Sequence, residues 1–166
     1  LAVQGVSLKW PNDIVALDGK LGGILTEVQA GSSDNATVVT GLGINVDIGE
    51  RVDFGVESDW AHQPVDLKSL VGDPPARELL AGALINHLFL AFRRFDEYGL
   101  EGFMDEWRKH DWLRGKEIVV ELPDRQVAGV AAGIDDRGVL LVETPEGKVP
   151  VISGSILMAG AGASAQ

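Results

Sequence analysis

The sequence predicts an α+β fold: a strand-rich first half, one long helix, then a small antiparallel β-barrel. Three observations predict it. Apolar and β-branched runs separated by Gly and Asp dominate residues 7–46. Leu and Phe recur at three- and four-residue spacing between 74 and 98. From Gly115 onward, short apolar runs alternate evenly with turn formers.

Residues 7–28 read as a β-hairpin. The run Ile14-Val15-Ala16-Leu17 leads into Asp18-Gly19, a preferred pair for a two-residue type I′ turn, and the chain returns through Lys20 to Val28. Residues 31–35 form a polar loop. Thr37-Val38-Val39-Thr40 is β-branched and continues into Gly41-Leu42-Gly43-Ile44-Asn45-Val46 as a further strand. Residues 47–72 carry weak periodicity and many turn formers, and are expected to be mostly loop.

The long helix is expected over residues 74–98. Asp73 suits the N-cap, Pro74 the first turn and Gly99 the C-terminal cap. Leu80, Leu84, Leu88, Phe92 and Phe95 make one stripe, expected to pack on a sheet. A shorter helix follows over 100–109, with Phe103 and Trp107 on one face. Strands are expected at 116–122, 126–134, 139–143 and 148–152. Residues 159–166 contain Ala, Gly, Ser and Gln and read as a disordered tail.

Composition narrows the function classes. The chain has 166 residues, with 45% hydrophobic and 23% charged side chains, as globular domains have. It has no cysteine, which removes disulfides and thiolate chemistry. The longest apolar runs fall far short of the ~20 residues needed to cross a bilayer. No basic segment followed by an apolar one stands at the front, so a cytoplasmic location is expected. The formal net charge of −11 disfavours contact with phosphate backbones or anionic lipid, so neither nucleic acid nor membrane is an expected partner of this segment. His62, His87 and His110 lie apart, with no neighbour at metal-ligand spacing. The start at Leu1, close to the densest motif, reads as the C-terminal part of a longer protein.

Three segments carry candidate chemistry. Lys9-Trp10-Pro11-Asn12-Asp13 joins a cation, an aromatic face, a rigid turn, an amide and a carboxylate. The amide can read a base edge in both senses, and the carboxylate can hold Mg²⁺ or a ribose hydroxyl. By composition alone it reads more readily as a surface turn with Trp10 docked on the core. Lys20 with Gly22-Gly23 places a point charge beside a gap where a ligand or another backbone approaches. If extended, Lys20, Gly22 and Ile24 share one face while Leu21 and Gly23 point the other way. Alone, it reads as a solvated lysine after a turn. Gly41-Leu42-Gly43-Ile44-Asn45 lacks the third glycine and following helix of a dinucleotide fingerprint, and fits a bulged strand end. Lys9 and Lys20 are the only cations among residues 1–50, too few alone to balance a triphosphate. Mg²⁺, cations from outside the chain, or the absence of a phosphate site would each resolve that shortfall.

Taken jointly, Leu8-Lys9-Trp10-Pro11-Asn12-Asp13, Gly19 to Glu27, and Gly41 to Val46 resemble biotin–protein ligases in order and spacing. Gly129 to Ile134, Asp136-x-Gly138 and Ser153-Gly154 resemble that family's C-terminal SH3-like barrel. The resemblance reaches about Met158. It implies the C-terminal part of a class II synthetase-like mixed-sheet catalytic domain at residues 1–113, an SH3-like barrel at 114–158 and a tail at 159–166.

The resemblance also implies a two-step reaction. The biotin carboxylate attacks the α-phosphate of ATP, giving biotinoyl-AMP and pyrophosphate. A lysine of the biotin carboxyl carrier domain of a carboxylase then takes the biotinoyl group. Lys20 takes the place of the lysine that touches the biotin carboxylate and the attacked phosphate. Gly22 and Gly23 let the biotin rings approach the backbone. Asn12 and Asn45 read adenine, Asp13 lies near the nucleotide and its Mg²⁺, and Lys9 and Trp10 support the ATP side. Relatives carry a glycine- and arginine-rich loop upstream of Lys9, and this sequence has none. A non-enzymatic fragment and a lipoate or octanoate transferase are the alternatives, and homodimer formation is left open.

Overall fold

The computed structural model describes residues 4–30, 36–49 and 64–158. The 31–35 loop, Trp60, His62 and the 159–166 tail lie outside the described residues. The chain divides into two compact units, one built around residues 1–52 and 62–74, the other around 53–61 and 75–166.

The first unit holds an antiparallel meander ordered β1-β2-β3-β4. Its strands are β1 (Val6–Lys9), β2 (Asp13–Ala16), β3 (Gly19–Ala30) and β4 (Ala36–Ile44). Two departures from the sequence reading occur. Residues 7–28 are three strands, because Trp10-Pro11-Asn12 makes a second turn closed by the Lys9–Asp13 pair. The β2–β3 turn is Leu17-Asp18, one residue earlier than expected, with φ of 49° and 55°. Both central residues of a type I′ turn need positive φ. Gly19 then pairs with Ala16, in the register that leaves Val15 and Ala16 buried and Leu17 exposed.

The segment expected to be loop contains α1 (Leu67–Val71). Asp66 caps it, accepting from the Ser69 amide at 2.8 Å and its hydroxyl at 2.6 Å. The other Asp66 oxygen accepts from the Ile48 amide at 2.8 Å, joining β4's exit to the helix. These bonds hold the Asp66 carboxyl below its ordinary value.

The second unit begins with α2 (Arg77–Tyr98), a 3₁₀ turn (Gly99–Phe103) and α3 (Met104–His110). The long helix starts three residues later than expected, capped by Ala76 rather than Asp73. A proline disfavours helical backbone in the residue before it, so Pro74-Pro75 delays the start. Gly99 caps the end as expected, with φ 59° and its amide bonded to the Phe95 carbonyl. The stripe is not buried as expected: no residue of α2 is buried, and Phe92 and Phe95 are exposed. Helical periodicity selects the helix without supplying a surface to cover it. Within its unit, α2 meets the 3₁₀ turn, where Phe95 and Phe103 rings lie 6.5 Å apart and Arg94 covers Phe103.

A five-stranded antiparallel sheet follows, ordered β8-β7-β6-β5-β9. Its strands are β5 (Glu117–Glu121), β6 (Gln126–Ile134), β7 (Leu140–Thr144), β8 (Gly147–Val151) and β9 (Ser155–Met158). The expected four runs all form strands, and β9 adds a fifth. Ile118, Val120, Ala131, Leu140, Val142 and Val151 are fully buried with Leu113, the alternation of a sheet with one covered face. Trp107 and Trp112 are half-buried, and the Lys116 ammonium sits 3.1 Å from the Trp112 ring centre.

Candidate functional site

The site lies wholly in the first unit, where β3 passes between the β1–β2 tip and β4. An open cavity of about 400 Å³ is lined by Asn12, Asp13, Lys20, Gly23, Ile24, Leu25 and Gly41 to Gly43. Four predicted residues therefore share one lining: Asn12, Asp13, Lys20 and Gly23. Lys9, Trp10, Gly22 and Asn45 stand outside it.

A β-bulge brings the lysine to the carboxylate. Ile14 pairs with Gly22 and Val15 with Lys20, so Leu21 is an extra residue on β3. The bulge resets the alternation. Gly23 falls opposite Asp13 and lies on the side of Lys20, whereas unbroken extension assigns Gly22 to that side. Leu21 turns into the core, 3% exposed.

The two glycines consequently differ. A methyl group at Gly22 would collide with the Gly43 carbonyl and press on Ile44. Gly22 serves the close approach of β3 to β4 and stands outside the cavity lining. A methyl group at Gly23 would fit without collision, at ordinary contact distances of 3.6–3.7 Å from Asn12, Lys20 and Asp13. Gly23 is the glycine that keeps the cavity floor clear.

Asp13 organises the charge. Its Oδ1 lies 2.6 Å from the Lys20 Nζ and its Oδ2 lies 3.3 Å from the Lys9 Nζ. Lys9 and Asp13 are buried, while the Lys20 side chain is 47% exposed and free to reach the cavity. Burial pushes the Lys9 ammonium down to about 8 from its ordinary 10.5; Asp13 opposes that shift and Lys20 adds to it. Sequence reasoning gave Lys9 a general supporting role and missed this bond. A signal existed: opposite charges close the two ends of a tight three-residue turn.

The asparagines are strand fasteners. Asn12 donates its side-chain amide to the Ile24 carbonyl at 2.8 Å, and its own carbonyl accepts from the Ile24 amide. Asn45 donates to the carbonyls of Lys20 at 3.2 Å and Val65 at 3.0 Å. Both Asn45 amide hydrogens are thus engaged, and only its oxygen is left for a base edge. Trp10 is buried and precedes a cis peptide bond to Pro11. It acts as core.

The donor set does not fit a divalent cation. Both Asp13 oxygens face ammonium groups, and no cluster of three acidic or histidine side chains occurs among the described residues.

Comparison with known proteins defines the class first. Residues 3–45 match the model of the biotin/lipoate A/B protein ligase family, and residues 114–158 match that of the biotin protein ligase C-terminal domain. The chain belongs to the biotin protein ligase family. Among curated relatives, it is 33% identical over 161 residues to the bifunctional ligase/repressor BirA of Salmonella typhimurium, covering 97% of this chain and 49% of that protein. It is 34% identical over 152 residues to the biotin–[acetyl-CoA-carboxylase] ligase of Mycobacterium tuberculosis, covering 90% and 52%. The chain thus spans about half the length of these relatives. A solved Aquifex aeolicus biotin protein ligase in complex with biotin and ATP shares the fold, with TM-score 0.74 and 22% identity over 93% of this chain and 62% of that one.

Among the described residues, no helix is long and apolar enough to cross a membrane.

Proposed function

We propose that the protein activates biotin with ATP as biotinoyl-5′-AMP and transfers it to a lysine of a biotin carboxyl carrier domain. The observation that carries this reading is the Lys20 ammonium, held by Asp13 at the edge of an open cavity inside the segment that matches the ligase family. The biotin carboxylate is the nucleophile and the α-phosphate the electrophile. Both are anionic, so a cation between them is required to bring them together. Lys20 fills that role: it reduces repulsion in the approach and stabilises charge gathering on the phosphate as pyrophosphate leaves.

Gly23 makes room for the biotin rings beside Lys20. The Asn12 side chain lines the same cavity and offers its oxygen to the nucleotide. The Asn45 amide holds the β3 carbonyl at Lys20, so it acts on the site through the backbone. Mg²⁺ accompanying ATP belongs with the nucleotide phosphates, and Asp13 serves Lys20 instead. We assign residues 1–113 to the catalytic domain and the five-stranded sheet at 114–158 to an SH3-like barrel.

The test is adenylate formation by the intact protein, with biotin and lipoate offered together with ATP. Biotinoyl-AMP as the dominant product supports the reading. Lipoyl-AMP as the dominant product would reassign the substrate, and no adenylate with either acid would reject the enzyme.

A further inference from the structure

We propose that Lys9 is a positioning residue for Lys20, acting through Asp13 by taking one of the carboxylate's two oxygens. Lys9 lies across from Asp13 at the closed end of the β1–β2 turn. Its side chain is 5% exposed, so it is fixed by its surroundings and cannot itself meet a ligand in the cavity. Lys20, by contrast, is half exposed and lines the cavity. One carboxylate therefore answers two ammonium groups, one buried and one half exposed.

The consequence is electrostatic. A carboxylate shared between two cations holds each less firmly than it would hold one. Lys20 is thereby placed at the cavity yet remains able to leave Asp13 for an incoming carboxylate or phosphate. Without the Lys9 charge the site becomes one unit more negative, and Asp13 is left wholly to Lys20. Lys20 would then be clamped in place and the cavity less welcoming to anions. The value of this arrangement for capturing biotin and ATP rests on the ligase reading. The sharing of Asp13 does not.

The experiment reads Lys20 directly. The full chain is pulsed with acetic anhydride at pH 7, and Lys20 acetylation is followed by peptide mass spectrometry. Only an unprotonated, unpaired amine reacts. Lys9→Met should slow Lys20 acetylation by about two- to fivefold, the range of a partly screened charge pair. Adding Asp13→Asn to Lys9→Met should restore the rate or exceed it. Merely structural damage would loosen the site and raise Lys20 labelling, the opposite direction. If Lys9→Met fails to show a cooperative unfolding transition, Lys9→Gln replaces it, keeping a donor for Asp13 without the charge.

Unchanged or faster Lys20 labelling in a folded neutral variant would overturn the proposal. So would a double variant that labels no faster than the single one. Slowed labelling in a protein that forms no biotinoyl-AMP would leave the Lys9 role standing and remove the ligase reading alone.

Discussion

The Lys20 ammonium and the Asp13 carboxylate meet at 2.6 Å because one extra residue, Leu21, bulges from β3. Without that bulge the alternation of the strand would carry Lys20 away from the side on which Asp13 faces Gly23. The pair of charges is thus a product of backbone register. The residue types supply the chemistry, and the irregularity of the strand brings them together.

The two adjacent glycines should behave differently on substitution. Gly22→Ala drives a methyl group against the Gly43 carbonyl, and β3 and β4 must separate to admit it. It should lower stability by about 1–3 kcal/mol in urea denaturation. Gly23→Ala meets its neighbours at ordinary contact distances of 3.6–3.7 Å. It should leave the denaturation midpoint nearly unchanged while weakening biotin binding, measured by calorimetry. Equal losses of stability would contradict the division of roles.

Lys9 should give stability a specific pH dependence. Its folded value of about 8 lies below its ordinary 10.5, so between these values the unfolded chain binds more protons than the folded one. Stability from this group therefore rises with pH across that window, by up to about 1.4 kcal/mol per unit. Below pH 8 the burial cost of the charge is present in full. Denaturation of the wild type and Lys9→Met, compared at pH 7.5, 9 and 10, should show this rise in the wild type alone.

Asp111 should tolerate loss of its charge. Burial holds its carboxyl above the ordinary 3.8 despite bonds from the Leu113 and Arg114 amides, the nearby Arg114 charge and the Trp107 ring N–H. Its Oδ2 and the Trp107 Nε1 are both buried without a hydrogen bond of normal geometry. The folded state therefore keeps a proton longer than the unfolded chain, and this group's contribution falls as pH rises above 3.8. Asp111→Asn keeps an oxygen for the Leu113 amide and removes the buried charge. Its melting temperature at pH 7 should equal or exceed that of the wild type, and a clear drop would contradict this account.

The residues made some of this legible and hid the rest for physical reasons. Alternation and turn formers located β2, β3 and the strands after Gly115, because those signals are local. The β2–β3 turn escaped by one residue, since Leu17 accepts positive φ only under the demand of the register. Asp66 to Ser69 carried a capping signal for α1 in a stretch with little apolar periodicity. The Asn45 role was hidden because its partners, the carbonyls of Lys20 and Val65, are backbone groups remote in sequence. Lys20 and Asp13 were found by resemblance, and their contact follows from the bulge.

The most direct measurement is single-turnover formation of biotinoyl-AMP by the intact protein, wild type against Lys20→Ala. Lys20 is half exposed, and its replacement removes a charge at little cost to the core. The account predicts a fall of about 10²-fold or more in the adenylation rate, with the unfolding transition preserved. An unchanged rate in the folded variant would contradict it, because the reacting anions would then be brought together without the cation on which the proposed mechanism depends.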